Sequence, residues 1–392
     1  MAGCRPLTVD RRPLTVDIKK MNHQELQNLI ALQHIPGIGS ITAKRLLESM
    51  GSATQIFAQR TELPRLVPHV QPSLVKALDC PAAHRRAEQE LEFITKHHIT
   101  CIGYHDEAYP TRLRECDDAP SLLYYRGNTT FNPRRVVSII GTRKCTDYGR
   151  DLCECFVRDL AALIPDVLIV SGLAYGIDVS AHRAALKYNL PTVGVLAHGL
   201  DRIYPSAHRN IAAQMTQCGG LLTEYPSFTE PERQNFLQRN RIVAGMADAT
   251  IVIESAAKGG ALVTASIAGS YGRDCFAFPG RIHDTASAGC HRLIRHHQAA
   301  LITSAADFIE AMMWDTPSGG RPEAIQQTLF PDLTDEEARI VALLEQHADG
   351  LHINTLVTES DIPINRLSAL LFELELRGIV RPLAGSCYKL IR

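Results

Sequence analysis

Val136-Val-Ser-Ile-Ile-Gly-Thr-Arg143 is an apolar run of strand length that closes on a glycine and an arginine, ahead of a helical pattern beginning near Asp147. A strand that turns into a helix through a glycine aims backbone N–H groups at one point above the sheet edge. Here a guanidinium accompanies them, and together they can hold a phosphate. The arrangement recurs twice. Val167-Leu-Ile-Val170 runs into Ser171-Gly-Leu-Ala-Tyr-Gly176, ahead of a helical stretch with Ala181, His182 and Ala185. Thr250-Ile-Val-Ile253 runs into Glu254-Ser-Ala-Ala-Lys258-Gly259-Gly260, ahead of one with Ala265 and Ala268. Three such joints in one sheet can line a single phosphate-binding crevice.

Outward from these joints, strand runs alternate with helical patterns between Val136 and about Met312. The strands are expected at Val136–Ile140, Val167–Ser171, Thr192–Ala197, Leu221–Glu224, Thr250–Glu254, Cys275–Phe278 and Ala300–Thr303. Such alternation predicts an α/β protein, a doubly wound and mostly parallel Rossmann-like sheet with helices on both faces. Ligands of such sheets sit beyond the carboxyl ends of the strands, where the glycine motifs fall. Residues 81–131 form a connector with a helix at His84–His97 and a short strand at Thr100–Tyr104, so that 81–314 make one core. Ahead of it, 21–80 read as a small helical domain. Ile35-Pro-Gly-Ile-Gly39 fits either a helix-hairpin-helix (SAM-like) turn, which can touch a DNA phosphate without reading bases, or a plain Pro-Gly turn.

Residues 315–332 are a Pro/Gly/Gln-rich linker. Beyond it, 333–392 predict three helices (Asp335–Gln346, Ile353–Thr358, Pro363–Leu376) and a hairpin around Ala384-Gly385, which is a winged helix. Such domains often bind duplex DNA through the third helix. Here that helix carries only Arg366 and Arg377, so a protein contact fits at least as well.

The 392 residues carry 41 Lys+Arg against 42 Asp+Glu, a net charge of -1, so any site for an anion must be a local patch. No apolar run reaches membrane-spanning length. Arg5-Pro-Leu-Thr-Val-Asp10 repeats at once as Arg12-Pro-Leu-Thr-Val-Asp17 and has no apolar segment, so it is no signal peptide. Residues 1–20 are expected as a disordered leader, with Met21 as the true start. The 11 cysteines and 16 histidines show no metal-ligand spacing, so no metal is expected, and free thiols suit a reducing cytoplasm.

In chain order the sequence contains Tyr109-Pro110, Leu113, Pro120, Leu123 and Gly127, then Ile140-Gly-Thr-Arg143 and Tyr148-Gly149. There follow Ser171-Gly-Leu-Ala-Tyr-Gly-Ile-Asp178, Ala181-His182, Gly199-Leu-Asp201, Tyr204-Pro205, Asn210, Arg239-Asn-Arg-Ile-Val-Ala-Gly245 and Phe278-Pro-Gly280. No one piece decides, but the ordered set resembles the DNA-processing protein A (DprA/Smf) family, from about residue 25 to 390. The resemblance implies a cytoplasmic protein of natural transformation that binds incoming single-stranded DNA, protects it and helps load the RecA recombinase. It also implies a homodimer without cofactor or catalytic residues. One departure is plain. Relatives commonly place proline and lysine between the phenylalanine and Arg-Asn-Arg, whereas Leu237-Gln238 stand here, which removes one cation.

A single strand needs a positive track and often a flat surface for its bases. Arg143 is expected to fork onto a phosphate, with Arg239, Arg241 and Lys258 sharing the charge. Backbone N–H groups of Gly141, Thr142, Ser171, Gly172 and Gly260, beside Gly259, would add neutral donors, and Ser171 Oγ would assist. If the segment with Arg239 and Arg241 is extended, they share a face; if helical, they diverge. It reads as helical, so Arg239 and Asn240 are expected to face the DNA rather than Arg241. Phe236 and Tyr225 are candidate stacking rings, although such residues more often fill cores.

Asp147 and Asp178 are expected to cap helices, and His182 to be structural. Glu224 and Glu254 both end strands, but nothing fixes their separation. Two other classes of function remain. Lys258-Gly-Gly-Ala261 loosely resembles the loop of nucleotide phosphoribohydrolases without its proline, third glycine and catalytic glutamate. A scaffold acting through the winged helix is the other. A dehydrogenase is weaker, since Gly141-Thr-Arg is not Gly-x-Gly-x-x-Gly.

Overall fold

The computed structural model describes residues 21–315, 333–347, 350–383 and 385–391, so the leader 1–20 and nearly all of the linker lie outside it. The chain forms two compact units, one on each side of that linker.

The larger unit is built on a nine-stranded sheet. Its strands are β1 (Thr100–Gly103), β2 (Leu122–Gly127), β3 (Val136–Ile140), β4 (Leu168–Ser171), β5 (Thr192–Val195), β6 (Gly219–Thr223), β7 (Ala249–Val252), β8 (Asp274–Ala277) and β9 (Ala300–Leu301). They lie in the order β1-β2-β6-β5-β4-β3-β7-β8-β9. The seven strands from β6 to β9 pair in parallel. At the far edge β2 pairs antiparallel with β6, and β1 antiparallel with β2. The connector therefore extends the sheet instead of merely leading into it.

Every residue of β3 is buried, because a central parallel strand is covered on both faces. Side chains alternate between the two cores, as the pleat requires. Ile140, Leu168, Val170, Val193 and Val195 face one core, and Val137, Ile139, Ile169 and Ile251 face the other. The one hydroxyl in β3 is satisfied within the sheet, where Ser138 Oγ donates to Thr250 Oγ1 at 2.8 Å.

The second core takes the helices Asp147–Leu163, Ile177–Lys187 and Ala305–Ala311. The first takes Arg233–Gly245 and Gly260–Ser270. It also takes the helices His23–Gln33, Ser40–Met50 and Pro81–His97, so the helices expected as a domain of their own share one unbroken apolar core with the sheet. Pro36 and Gly37 form an exposed turn between the first two of these, Gly37 at φ +84°. Lys44, on the second, bonds the carbonyls of Arg114 and Cys116 at 3.2 and 2.8 Å, fixing that helix to the connector.

Strand order reverses between β3 and β7. From β3 the chain winds through β4, β5 and β6 to one side, then returns to β7 and proceeds to β8 and β9 on the other. Connections that leave neighbouring strands toward opposite faces open a crevice at their carboxyl ends.

The smaller unit is a winged helix. Its helices are Asp335–Gln346, Ile353–Ser360 and Ile364–Leu376, and its strands β10 (Leu351–His352), β11 (Val380–Leu383) and β12 (Cys387–Leu390) lie in the order β10-β12-β11. Thr334 and Glu337 close a capping box on the first helix. On the third helix Ile364, Phe372 and Leu376 are exposed, while Arg366 pairs with Glu336 and Arg377 with Glu337, both at 2.9 Å. That face is apolar and acidic, unlike a helix that reads duplex DNA.

Candidate nucleic-acid interface

At the β3/β7 switch point lies a cleft of about 940 Å³. The loops after β3, β4 and β7 form its floor and one wall, and the helix Arg233–Gly245 forms the other. Gly141, Thr142, Arg143, Gly172, Arg239, Asn240, Lys258, Gly259 and Gly260 all line it. Ser171 and Arg241 do not. Among the lining residues that the sequence reading did not place in the site are Lys144, Arg233 and Tyr204. Lys144 adjoins Arg143. Arg233 precedes Asn240 by seven residues, two helical turns, and this spacing was the signal that could have found it. Five cations thus line the cleft, Arg143, Lys144, Arg233, Arg239 and Lys258, against the single carboxylate of Asp178.

The β3 loop is braced from several sides. Thr142 N–H donates to the Glu254 carbonyl at 2.7 Å, and Thr142 O accepts from Ile177 N at 3.2 Å. Beneath it, the buried Glu254 carboxylate accepts from Thr146 N and Oγ1 at 2.8 and 2.7 Å. Thr146 itself caps the helix Asp147–Leu163, so Asp147 is not the cap; it pairs with Arg150 instead. Gly176 closes the brace at φ +79°, where an added Cβ would lie 2.1 Å from Thr142 O. Gly176→Ala is therefore expected to destabilise the fold by about 1–3 kcal/mol or more. Chemical unfolding would show it as a lowered midpoint with unchanged slope.

Arg239 departs from expectation. It lies on the cleft floor but is only 3% exposed, and its Nη1 donates to the carbonyls of Gly172 and Val195 at the ends of β4 and β5. Burial lowers its pKa to about 10. Asp178 lies close by, also buried. Burial raises its pKa, opposed by the Arg239 charge and by backbone N–H bonds from Ala174 and Gly172. Asp178 thus reaches back to the β4 loop, and the helix it was expected to cap has Gly176 at its N-cap.

Arg241 departs further. The two arginines are two residues apart on a helix, so they point about 200° apart. Arg241 turns away from the cleft to Glu224, the Asp118 carbonyl and Ser40 Oγ. It ties the sheet to the helix Ser40–Met50, a structural role. Ser171 is fully buried with its Oγ donating to Ile139 O at 2.6 Å, so the hydroxyl faces the sheet and not the cleft. With the N–H groups of Thr142 and Gly172 also engaged, the neutral donors expected at those positions are already used.

What remains accessible is cationic. Arg143 is exposed and has no carboxylate partner among the described residues; its guanidinium lies over the Phe236 ring, 5.1 Å from the centroid. Lys144, Arg233 and Lys258 are exposed too, and Gly259-Gly260 open the helix Gly260–Ser270 toward the cleft. At the two positions of the family departure, Leu237 is a cleft-lining apolar side chain and Gln238 accepts from the Tyr225 hydroxyl at 3.1 Å. Tyr225 lies outside the cleft lining.

Glu224 and Glu254 do not form a working pair, since each is committed to a different partner, Arg241 and Thr146. His182 is fully buried against Thr192 Oγ1 at 2.7 Å, and burial lowers its pKa to about 3. It is a neutral core histidine. Among the described residues no group of three or more His, Cys, Asp or Glu side chains is placed to hold a metal ion, and no helix is long and apolar enough to cross a membrane.

A doubly wound sheet with a glycine-lined, cation-rich cleft at its switch point defines a Rossmann-like α/β protein. The sequence comparisons place it more closely: the chain belongs to the DNA recombination-mediator protein A family, whose model matches residues 100–313, and residues 326–386 match the DprA winged helix domain. A Mycobacterium tuberculosis DNA processing protein DprA is 40% identical over 240 residues, 57% of this chain and 60% of that relative's length. Among solved structures, DNA processing protein A from Streptococcus pneumoniae aligns with a TM-score of 0.55 at 32% identity, over 70% of this chain and 98% of its own. DNA processing protein A from Helicobacter pylori, described for its single-stranded DNA binding mode, aligns with a TM-score of 0.50 at 30% identity, over 55% and 95% respectively.

Proposed function

We propose that this chain binds single-stranded DNA in the β3/β7 cleft, protects it and passes it to the RecA recombinase, acting in the cytoplasm as a homodimer. The observation that carries the reading is the charge of the cleft: five cations against one carboxylate, in a chain of net charge -1. Such a patch attracts a polyanion that the whole molecule would not. Aromatic rings beside the cations favour an unpaired strand, whose bases are free to stack. The family description as a recombination mediator supports the hand-over to RecA. The ten described cysteines are all free thiols, which suits a reducing compartment.

We read the cleft as a binding site and not a hydrolytic one. Asp178, the one carboxylate lining it, is buried and held by Arg239 and two backbone N–H groups, so it is poorly placed to serve as a general base.

Fluorescence anisotropy of a labelled single strand and of the matched duplex, over a salt series, tests the reading. A clear preference for the single strand with a steep salt dependence is expected; equal, weak and salt-insensitive binding would overturn it. Removing residues 333–392 is expected to leave both affinity and salt slope unchanged, given the acidic, apolar face of the third winged-helix helix. Loss of binding in that variant would move the site to the smaller unit.

A further inference from the structure

We infer that the ring that stacks a base in this cleft is Tyr204, and that Phe236 serves instead as the rest that holds Arg143. The inference rests on the reading of the cleft as a single-strand site.

Tyr204 and Phe236 are the two aromatic rings lining the cleft among the described residues. Their centroids are 5.9 Å apart and their planes are tilted by 55°. A base inserted between two rings would need roughly parallel planes about 7 Å apart, two carbon contact distances. These rings therefore form a corner that cannot sandwich a base, and stacking must use one free face.

Phe236 is already occupied. The Arg143 guanidinium lies 5.1 Å from its centroid and that of Arg239 5.9 Å. Its π surface thus meets cations, which suits a residue that orients Arg143 toward a phosphate. Tyr204 is 48% exposed, and no cation among the described residues lies over its ring. Its backbone is anchored from behind: Tyr204 N–H donates to His198 Nε2 at 3.3 Å, while His198 Nδ1 meets Gly199 O at 2.8 Å. Those two bonds require the neutral ring with its proton on Nδ1, and burial favours the neutral form. The ring is thus presented to the cleft from a fixed main chain.

The division of labour is testable because stacking and phosphate contact leave different marks. The full-length protein would be titrated with an oligothymidylate carrying one 2-aminopurine, read by both anisotropy and base fluorescence over a salt series. Tyr204→Ala is expected to weaken binding by roughly five- to hundredfold, abolish the fluorescence quench and leave the salt slope intact. Tyr204→Phe, which keeps the ring, is expected to retain both affinity and quench. Phe236→Leu is expected to keep the quench and flatten the salt slope, because Arg143 loses its rest. The inference is overturned if Tyr204→Ala keeps the quench, or if Phe236→Leu removes it while the slope stands. Failure of the cleft reading itself has a different signature: wild type without single-strand preference, and an Arg143→Ala slope equal to wild type. That result would overturn the inference along with the reading.

Discussion

Replacing Arg239 by alanine is expected to lower the free energy of unfolding by about 3–5 kcal/mol, the usual penalty for stranding one member of a buried charge pair. The side chain is 3% exposed and its Nη1 holds the carbonyls that end two adjacent strands. Without it, those carbonyls lose a donor and Asp178 keeps a buried charge that has lost its strongest balancing cation, with Arg143 acting on it more weakly. The effect carries a pH signature. Burial already pushes the Asp178 pKa up, and Arg239 is the chief force opposing that rise. In the variant the folded-state pKa climbs further above the unfolded value of about 3.9. Folded chains then retain a proton that unfolded chains have released, so stability falls as pH rises through that window and recovers as pH falls. Urea unfolding at neutral pH and at about pH 5 should show the gap between variant and wild type narrowing in acid. A variant as stable as wild type that nonetheless loses DNA affinity would restore Arg239 as a direct contact.

Arg143→Ala is expected to do the opposite, leaving stability within about 0.5 kcal/mol while weakening single-strand binding. The guanidinium is exposed and makes no salt bridge among the described residues, so the fold depends on it little. Loss of one charge-assisted contact, worth about 1.5–3 kcal/mol, corresponds to roughly ten- to hundredfold in affinity. The plot of log K against log salt should become shallower by about 0.7 for one phosphate contact to a single strand. Arg143→Lys should keep most of the slope and recover only part of the affinity, since an ammonium lacks the forked geometry. Binding indifferent to both changes would remove Arg143 from the site.

The contrast between these arginines marks how far the sequence could be read. β3 was legible residue by residue, because a strand buried on both faces must be apolar throughout, and its closing glycine announces the turn. The three glycine joints were legible for the same reason, and the cleft brings them together. The helical period showed that Arg239 and Arg241 diverge. It could not show that one passes under the cleft floor while the other reaches Glu224, because both destinations come from strands remote in sequence. The same limit hid β2, whose place beside β6 depends on pairing Tyr124 with Thr223 and Arg126 with Leu221, and with it the place of the expected strand β1 beside β2. Glycine spacing also does not record whether an N–H is already used; Thr142 donates to the Glu254 carbonyl beyond the neighbouring strand β7. Lys144 and Arg233 belong to no motif; Arg233 was legible only through its helical spacing from Asn240, and the fold brings both to the cleft.

A sheet this wide still ends in two unpaired rows of backbone donors and acceptors, the feature by which sheet proteins stick to copies of themselves. Here both end strands are short, β1 with four residues and β9 a stub of two. An incoming strand finds too short a template to zip onto. Edge-to-edge growth into fibres is most dangerous at high local concentration. The short flanking strands limit that hazard without disturbing the buried centre on which the cleft is built.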